Sequence, residues 1–258
     1  MSRFSNIQAD EPPSPEASPE EQQYDHDYYV GLAQEAQRRG NFDTALRYYG
    51  RALEQDREQQ VAWLGQIEVL MAMGQPEEAE TWLEQAAGVI GEAPPLLALR
   101  AIAAARSGKF EDAQAWSDRA LRDGGDNPIV WLSRAEVLYC RGSAQMARVN
   151  LNKAYERAPG SALGLRCGEV ALNANDLSGA RPWLERAARD ELDNPMAALL
   201  LGIYWERAGN LEQAKVELRR ALALEPHLKA ATLALEDIEN RGLWSTLKAT
   251  LRRWSRNE

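Results

Sequence analysis

The sequence predicts an all-α fold, a solenoid of six tandem helix-turn-helix units with a C-terminal capping helix and a short basic amphipathic helix after it. Three observations predict it. An alanine recurs at Ala45, Ala79, Ala113, Ala147, Ala180 and Ala214, with gaps of 34, 34, 34, 33 and 34 residues. Five residues before each stands Gly40, Gly74, Gly108, Gly142, Asn175 or Gly209. Seven residues after each comes a second alanine, at 52, 86, 120, 154, 187 and 221, in a region with few β-branched runs. A fixed period of this length is the signature of stacked helical repeats.

The residue types follow from the geometry they must serve. The turn between paired helices needs a left-handed backbone position, which Gly and Asn tolerate best. Small alanines belong where two helices cross closely, because larger side chains would push the axes apart. One helix pair cannot bury its own apolar face, so neighbours must stack on it.

Taken in order, residues 1–25 are rich in Pro, Ser and carboxylates, carry a net charge of -5, and are expected to stay disordered. The units are expected at 26–59, 60–93, 94–127, 128–160, 161–194 and 195–228. Residues 229–240 continue the helical rhythm through Leu233, Leu235 and Ile238, as a cap over the last apolar surface. Residues 241–258 reverse the sign, at +4. There Leu243, Leu247, Leu251 and Trp254 fall on one helical face with Trp244 at its border, while Lys248, Arg252, Arg253 and Arg256 lie largely off it. Such a helix could fold back on the last unit, dock on a partner, or lie weakly on an anionic membrane. It could also occupy its own groove or a neighbour's, giving autoinhibition or self-association.

On these residues the chain resembles the tetratricopeptide repeat family. The sixth unit matches best, with Leu201–Gly202, Trp205, Gly209–Asn210, Ala214, Leu218, Ala221 and Pro226. The first matches with Tyr29, Leu32–Ala33, Gly40, Ala45, Tyr49 and Ala52, and the fourth with Trp131, Ala135, Leu138, Gly142, Ala147, Leu151, Ala154 and Pro159. Two units depart. The second has Gln66–Ile67 in place of a leucine and a small residue. The fifth has Gly164 at the usual aromatic position, and is expected to pack more loosely or to bend the array.

The resemblance implies a right-handed solenoid whose first helices line a concave groove for a peptide or a partner helix. Its groove positions fall on Val30, Leu64, Ala98, Leu132, Leu165 and Leu199, on Gln34, Glu68, Ile102, Glu136, Glu169 and Ile203, and on Gln37, Met71, Tyr139, Leu172 and Glu206. That is an apolar stripe flanked by carboxylates. Family members that grip acidic chaperone tails use Lys and Asn where this chain has Val30, Gln34 and Glu68. An apolar or amphipathic, basic segment is therefore the expected ligand; the alternative is that the leucines only pack and the carboxylates are a solvated face.

Bulk properties narrow the function classes. The 258 residues are 45% hydrophobic and 27% charged, with a net charge of -9, which disfavours nucleic-acid binding. No apolar run reaches membrane-spanning length and the N-terminus has no secretory pattern, so a cytoplasmic protein is expected. His26 and His227 stand at opposite ends of the array, and no phosphate loop, His–Glu–x–x–His or nucleophile triad occurs, so no catalytic residue, cofactor or metal is implied. Cys140 and Cys167 are offset by roughly 9 Å along the repeat, too far for a disulfide. The expected function is a non-catalytic protein-interaction adaptor or assembly scaffold; the alternative is a membrane-peripheral assembly factor recruited by the basic C-terminal helix.

Overall fold

The computed structural model describes residues 25–240. The acidic tail up to residue 24 and the basic segment 241–258 lie outside the described residues. Among the described residues every regular element is a helix. They come in pairs: α1 (His26–Arg38) with α2 (Phe42–Gln55), α3 (Gln60–Ala72) with α4 (Pro76–Ile90), and α5 (Pro94–Arg106) with α6 (Phe110–Gly124). Then follow α7 (Pro128–Cys140) with α8 (Ala144–Arg157), α9 (Ser161–Asn173) with α10 (Leu177–Asp190), and α11 (Pro195–Arg207) with α12 (Leu211–Leu224). A further helical stretch occupies 229–240.

Each pair is joined by the same turn. Past α1 the Gly40 amide donates to the Gln37 carbonyl at 3.0 Å and the Asn41 amide to the Ala36 carbonyl at 2.8 Å, a Schellman-type closure of the last helical turn. The central residue must be left-handed, and all six are: φ is +76° at Gly40, +73° at Gly74, +75° at Gly108, +76° at Gly142, +57° at Asn175 and +83° at Gly209. In two units the second helix starts behind a side-chain cap: Asp176 accepts from the Gly179 amide at 3.0 Å and Asn210 from the Gln213 amide at 3.3 Å.

Both alanine series are buried throughout, none exposing more than 2% of its surface. Beside them a large side chain closes the space between paired helices: Tyr49, Leu83, Leu151, Leu184 and Leu218, all buried. The third unit is the exception. It places Ser117 there, fully buried with a hydroxyl that finds no hydrogen-bond partner among the described residues. The core thins at that point into two small clusters built largely of alanine and valine, between the large clusters of units one to three and four to six.

The fifth unit is not loosened by Gly164. Tyr155 and Trp183, with ring centroids 5.0 Å apart, lie at ordinary contact distance from where a Gly164 side chain would begin. They fill the room an aromatic residue would have taken, and the unit belongs to a continuous core.

Successive first helices set the curvature. The most extensive contact between neighbouring first helices is that of α5 with α7. Ala98 packs with Val130, and Ala101 and Ala105 with Val137, while the Ser133 hydroxyl donates to the Ala98 carbonyl at 2.6 Å. Small residues at a helix crossing let the axes approach, and drawing the inner helices together tightens the curl. The array bends until its ends meet. The Asn41 side-chain amide, in the first turn, donates to Glu225 at 3.1 Å, 184 residues on. A β-carbon on Gly40 would lie 2.6 Å from Leu228 Cδ1 and 2.8 Å from Met196 Sδ. The solenoid is a ring with a seam.

Candidate interaction site: the inner wall

The first helices face one another across this ring. Arg166 on α9 donates through both terminal guanidinium nitrogens to the two oxygens of Glu68 on α3, at 3.0 and 3.1 Å, although the residues are 98 positions apart. Two whole units lie between them, so the bond crosses the concave face. Next to it Arg106, the last residue of α5, bonds Glu136 on α7 at 2.7 Å and the Met71 carbonyl at the end of α3 at 3.2 Å. Tyr49 lies near Glu68 and Arg166; its buried hydroxyl donates to Gln37 at 2.8 Å, and burial raises its pKa.

Glu169, one helical turn beyond Arg166, is different. It is half-buried and no described residue forms an ion pair with it. Burial pushes its carboxyl above the ordinary value; Arg166 and Arg106 pull it down, Glu136 and Glu68 push it up. Of these three carboxylates, Glu68 and Glu136 are paired with arginines and Glu169 has no ion pair among the described residues.

A second polar cluster lies where the fourth unit meets the fifth. Asp176 accepts from Arg148, from the Tyr139 hydroxyl at 2.8 Å, and from Ser178 at 3.1 Å. The Arg148 guanidinium is the main reason its carboxyl is held well below the usual range.

The groove positions do not share one environment. Val30, Ile102, Leu132 and Leu199 are buried, as are Ala98 and Leu172, and belong to the packing between helices. Leu64, Met71, Leu165 and Ile203 keep part of their surface open, as do Tyr139, Glu136, Glu169, Glu68 and Glu206, while Gln34 is exposed. The expected apolar stripe is therefore reduced to four side chains among polar ones. The residues of the expected C-terminal helix, Leu243, Trp244, Leu247, Lys248, Leu251, Arg252, Arg253 and Trp254, fall outside the described residues. Both cysteines are free, Cys140 exposed and Cys167 buried.

Sequence reasoning missed Arg166 and Arg106. A signal for the first exists. The sixth residues of the units are Gly31, Gly65, Leu99, Ser133, Arg166 and Leu200, and Arg166 is the one charge in an otherwise small or apolar column.

Paired helices at a 34-residue period, alanines at the crossings and a concave wall lined by first helices define an α-solenoid, the class that presents extended concave binding surfaces. Tetratricopeptide repeat models match residues 36–90, 99–162 and 166–229, and the chain belongs to the tetratricopeptide repeat family. Solved structures share the fold. A tetratricopeptide repeat protein from Parabacteroides merdae superposes with a TM-score of 0.53 at 15% identity, over 83% of this chain and 84% of that one. Yeast Tom70 gives 0.52 at 16% identity, over 86% and 48%. The Cut9–Hcn1 hetero-tetramer of the APC/C gives 0.51 at 14% identity, over 83% and 43%. The chain therefore spans less than half the length of the last two. No curated protein matches its sequence. No described helix is long and apolar enough to cross a membrane.

Proposed function

We propose that this protein is a non-catalytic interaction adaptor or assembly scaffold whose inner wall takes a basic segment of a partner protein. The observation that carries this reading is Glu169. A half-buried carboxylate without an ion pair among the described residues, on a wall that also leaves Leu64, Leu165 and Ile203 partly open, is held at a cost in solvation. A lysine or arginine flanked by apolar residues would supply the missing charge and cover the rim. An acidic tail would meet Glu68, Glu136 and Glu169 instead.

The test uses a fluorescent synthetic peptide with the sequence of residues 241–258, titrated into the full chain alongside a copy in which its lysine and arginines are glutamine. Saturable binding of the basic peptide, lost in the neutral copy and weakened about tenfold by Glu169→Lys, is the expected result. Equal binding of both peptides would overturn the reading. Recruitment of the protein to membranes through residues 241–258 is the alternative. It requires pelleting with vesicles of anionic lipid that is lost when the chain ends at 240, and it falls if the full chain does not pellet.

A further inference from the structure

Among the described residues, contacts at two places join units that are not consecutive. One is the seam, where Asn41 meets Glu225 and Gly40 abuts Met196 and Leu228. The other is the bridge from Arg166 to Glu68, three units apart. The seam lies between turns and exits at the ends of the array. The bridge lies on the concave face, where a partner would dock. A helix is about 10 Å across with its side chains, more room than two side chains meeting head to head leave open. While the bridge is made, a segment cannot pass between α3 and α9.

The chemistry of the bridge is that of the proposed ligand. Arg166 presents a planar fork to both oxygens of Glu68, the geometry by which a guanidinium recognises a carboxylate. Glu169 stands one turn along the same helix with no ion pair among the described residues. An incoming cationic side chain would meet Glu169 first and then find Glu68 already occupied by the chain's own guanidinium. Neither member of the bridge is fully buried: the side chains of Glu68 and Arg166 keep 16% and 36% of their surface in solvent. The bond is therefore exchangeable, unlike a sealed ion pair whose rupture would strand a charge.

We propose that the Glu68–Arg166 bridge is an autoinhibitory strap across the inner wall, opened when a partner's lysine or arginine displaces Arg166 from Glu68. The proposal rests on the reading of the inner wall as the docking surface, and it assigns that surface a closed and an open state. The closed state competes with the partner, so removing the strap removes a competitor.

The test pairs a ligand-free distance with a binding measurement on the full chain. Spin labels go on cysteines placed at Ala72 and Asn173, the exposed ends of α3 and α9, in a Cys140→Ser background that leaves only the buried Cys167. Arg166→Gln is expected to lengthen and broaden the distance between them. The exchanged pair Glu68→Arg with Arg166→Glu is expected to restore it, which also controls for folding. The same labelled peptide of residues 241–258 is expected to bind Arg166→Gln about fivefold more tightly than the parent chain. An unchanged distance in Arg166→Gln, with peptide affinity also unchanged, overturns the strap and leaves the docking surface standing. A lengthened distance with no peptide bound by either protein overturns the docking surface and the autoinhibitory role with it.

Discussion

Replacing Gly40 with alanine tests the seam, and the repeat supplies its own controls. Gly74, Gly108 and Gly142 hold the same turn position at nearly the same φ, +73° to +76°, yet a β-carbon on any of them meets nothing within 4 Å. Alanine at those three positions pays only for a left-handed backbone, about 1 kcal/mol. Alanine at Gly40 meets the same backbone penalty and must also displace Leu228 Cδ1 and Met196 Sδ from 2.6 and 2.8 Å. Both are ends of flexible side chains, but Leu228 is buried in the terminal cluster, so overpacking should add about 1–3 kcal/mol. Gly40→Ala is thus expected to cost about 2–4 kcal/mol. The assay is urea unfolding of the full chain followed by helical circular dichroism, with the four alanine variants compared side by side. A Gly40→Ala midpoint equal to that of Gly74→Ala would refute the closed ring.

Other outcomes follow from single residues. Ser117→Ala removes a buried hydroxyl without a partner and should stabilise the chain by about 1 kcal/mol, read as a raised unfolding midpoint. Asp176→Asn should destabilise it by about 1–2 kcal/mol at pH 7. The folded carboxyl lies below the ordinary value of 3.8, so its contribution is complete above that value and fades as pH falls through the folded pKa. Melting curves of the variant and the parent should therefore begin to converge below about pH 4 and go on converging as the pH falls towards the folded pKa; a gap that stays constant between about pH 4 and pH 2 would exclude the ionised carboxylate as its source. A thiol reagent at neutral pH should modify Cys140 alone, since burial pushes Cys167 up to about 12, and mass spectrometry of the native chain should show one adduct.

The repeat was legible because each of its signals is local. Gly or Asn at the turn, alanine at the crossings and proline at several helix starts act over a few residues, and the sequence spacing carries them directly. Asn175 shows how far this goes: aligned with five glycines, it takes the same left-handed conformation. The inner wall was legible only in part. Carrying the groove positions over unit by unit treats every unit as equally spaced, but α5 and α7 are drawn together by Ala98, Ala101, Ala105 and Ser133. Curvature sums over the whole array, and it decides that Ile102 and Leu132 are buried while Leu165 stays partly open. The same sum brings Arg166 to Glu68 and Asn41 to Glu225, contacts that no window of one or two repeats contains. The fifth unit teaches the converse lesson. Gly164 reads as a gap in its own helix, but Tyr155 of one unit and Trp183 of the next fill it from either side.

Meeting ends also constrain how such a chain can evolve. An open stack, in which each repeat touches only its neighbours, can lengthen or shorten by duplication and deletion of a whole unit with little consequence elsewhere. A stack whose first turn rests on its last exit has no such freedom. An inserted copy between the second and fifth units would carry Gly40 away from Leu228 and Glu68 away from Arg166 at once, and a deleted one would drive the same groups into each other. The count of six is thereby a property that selection can see, as tightly held as any single side chain.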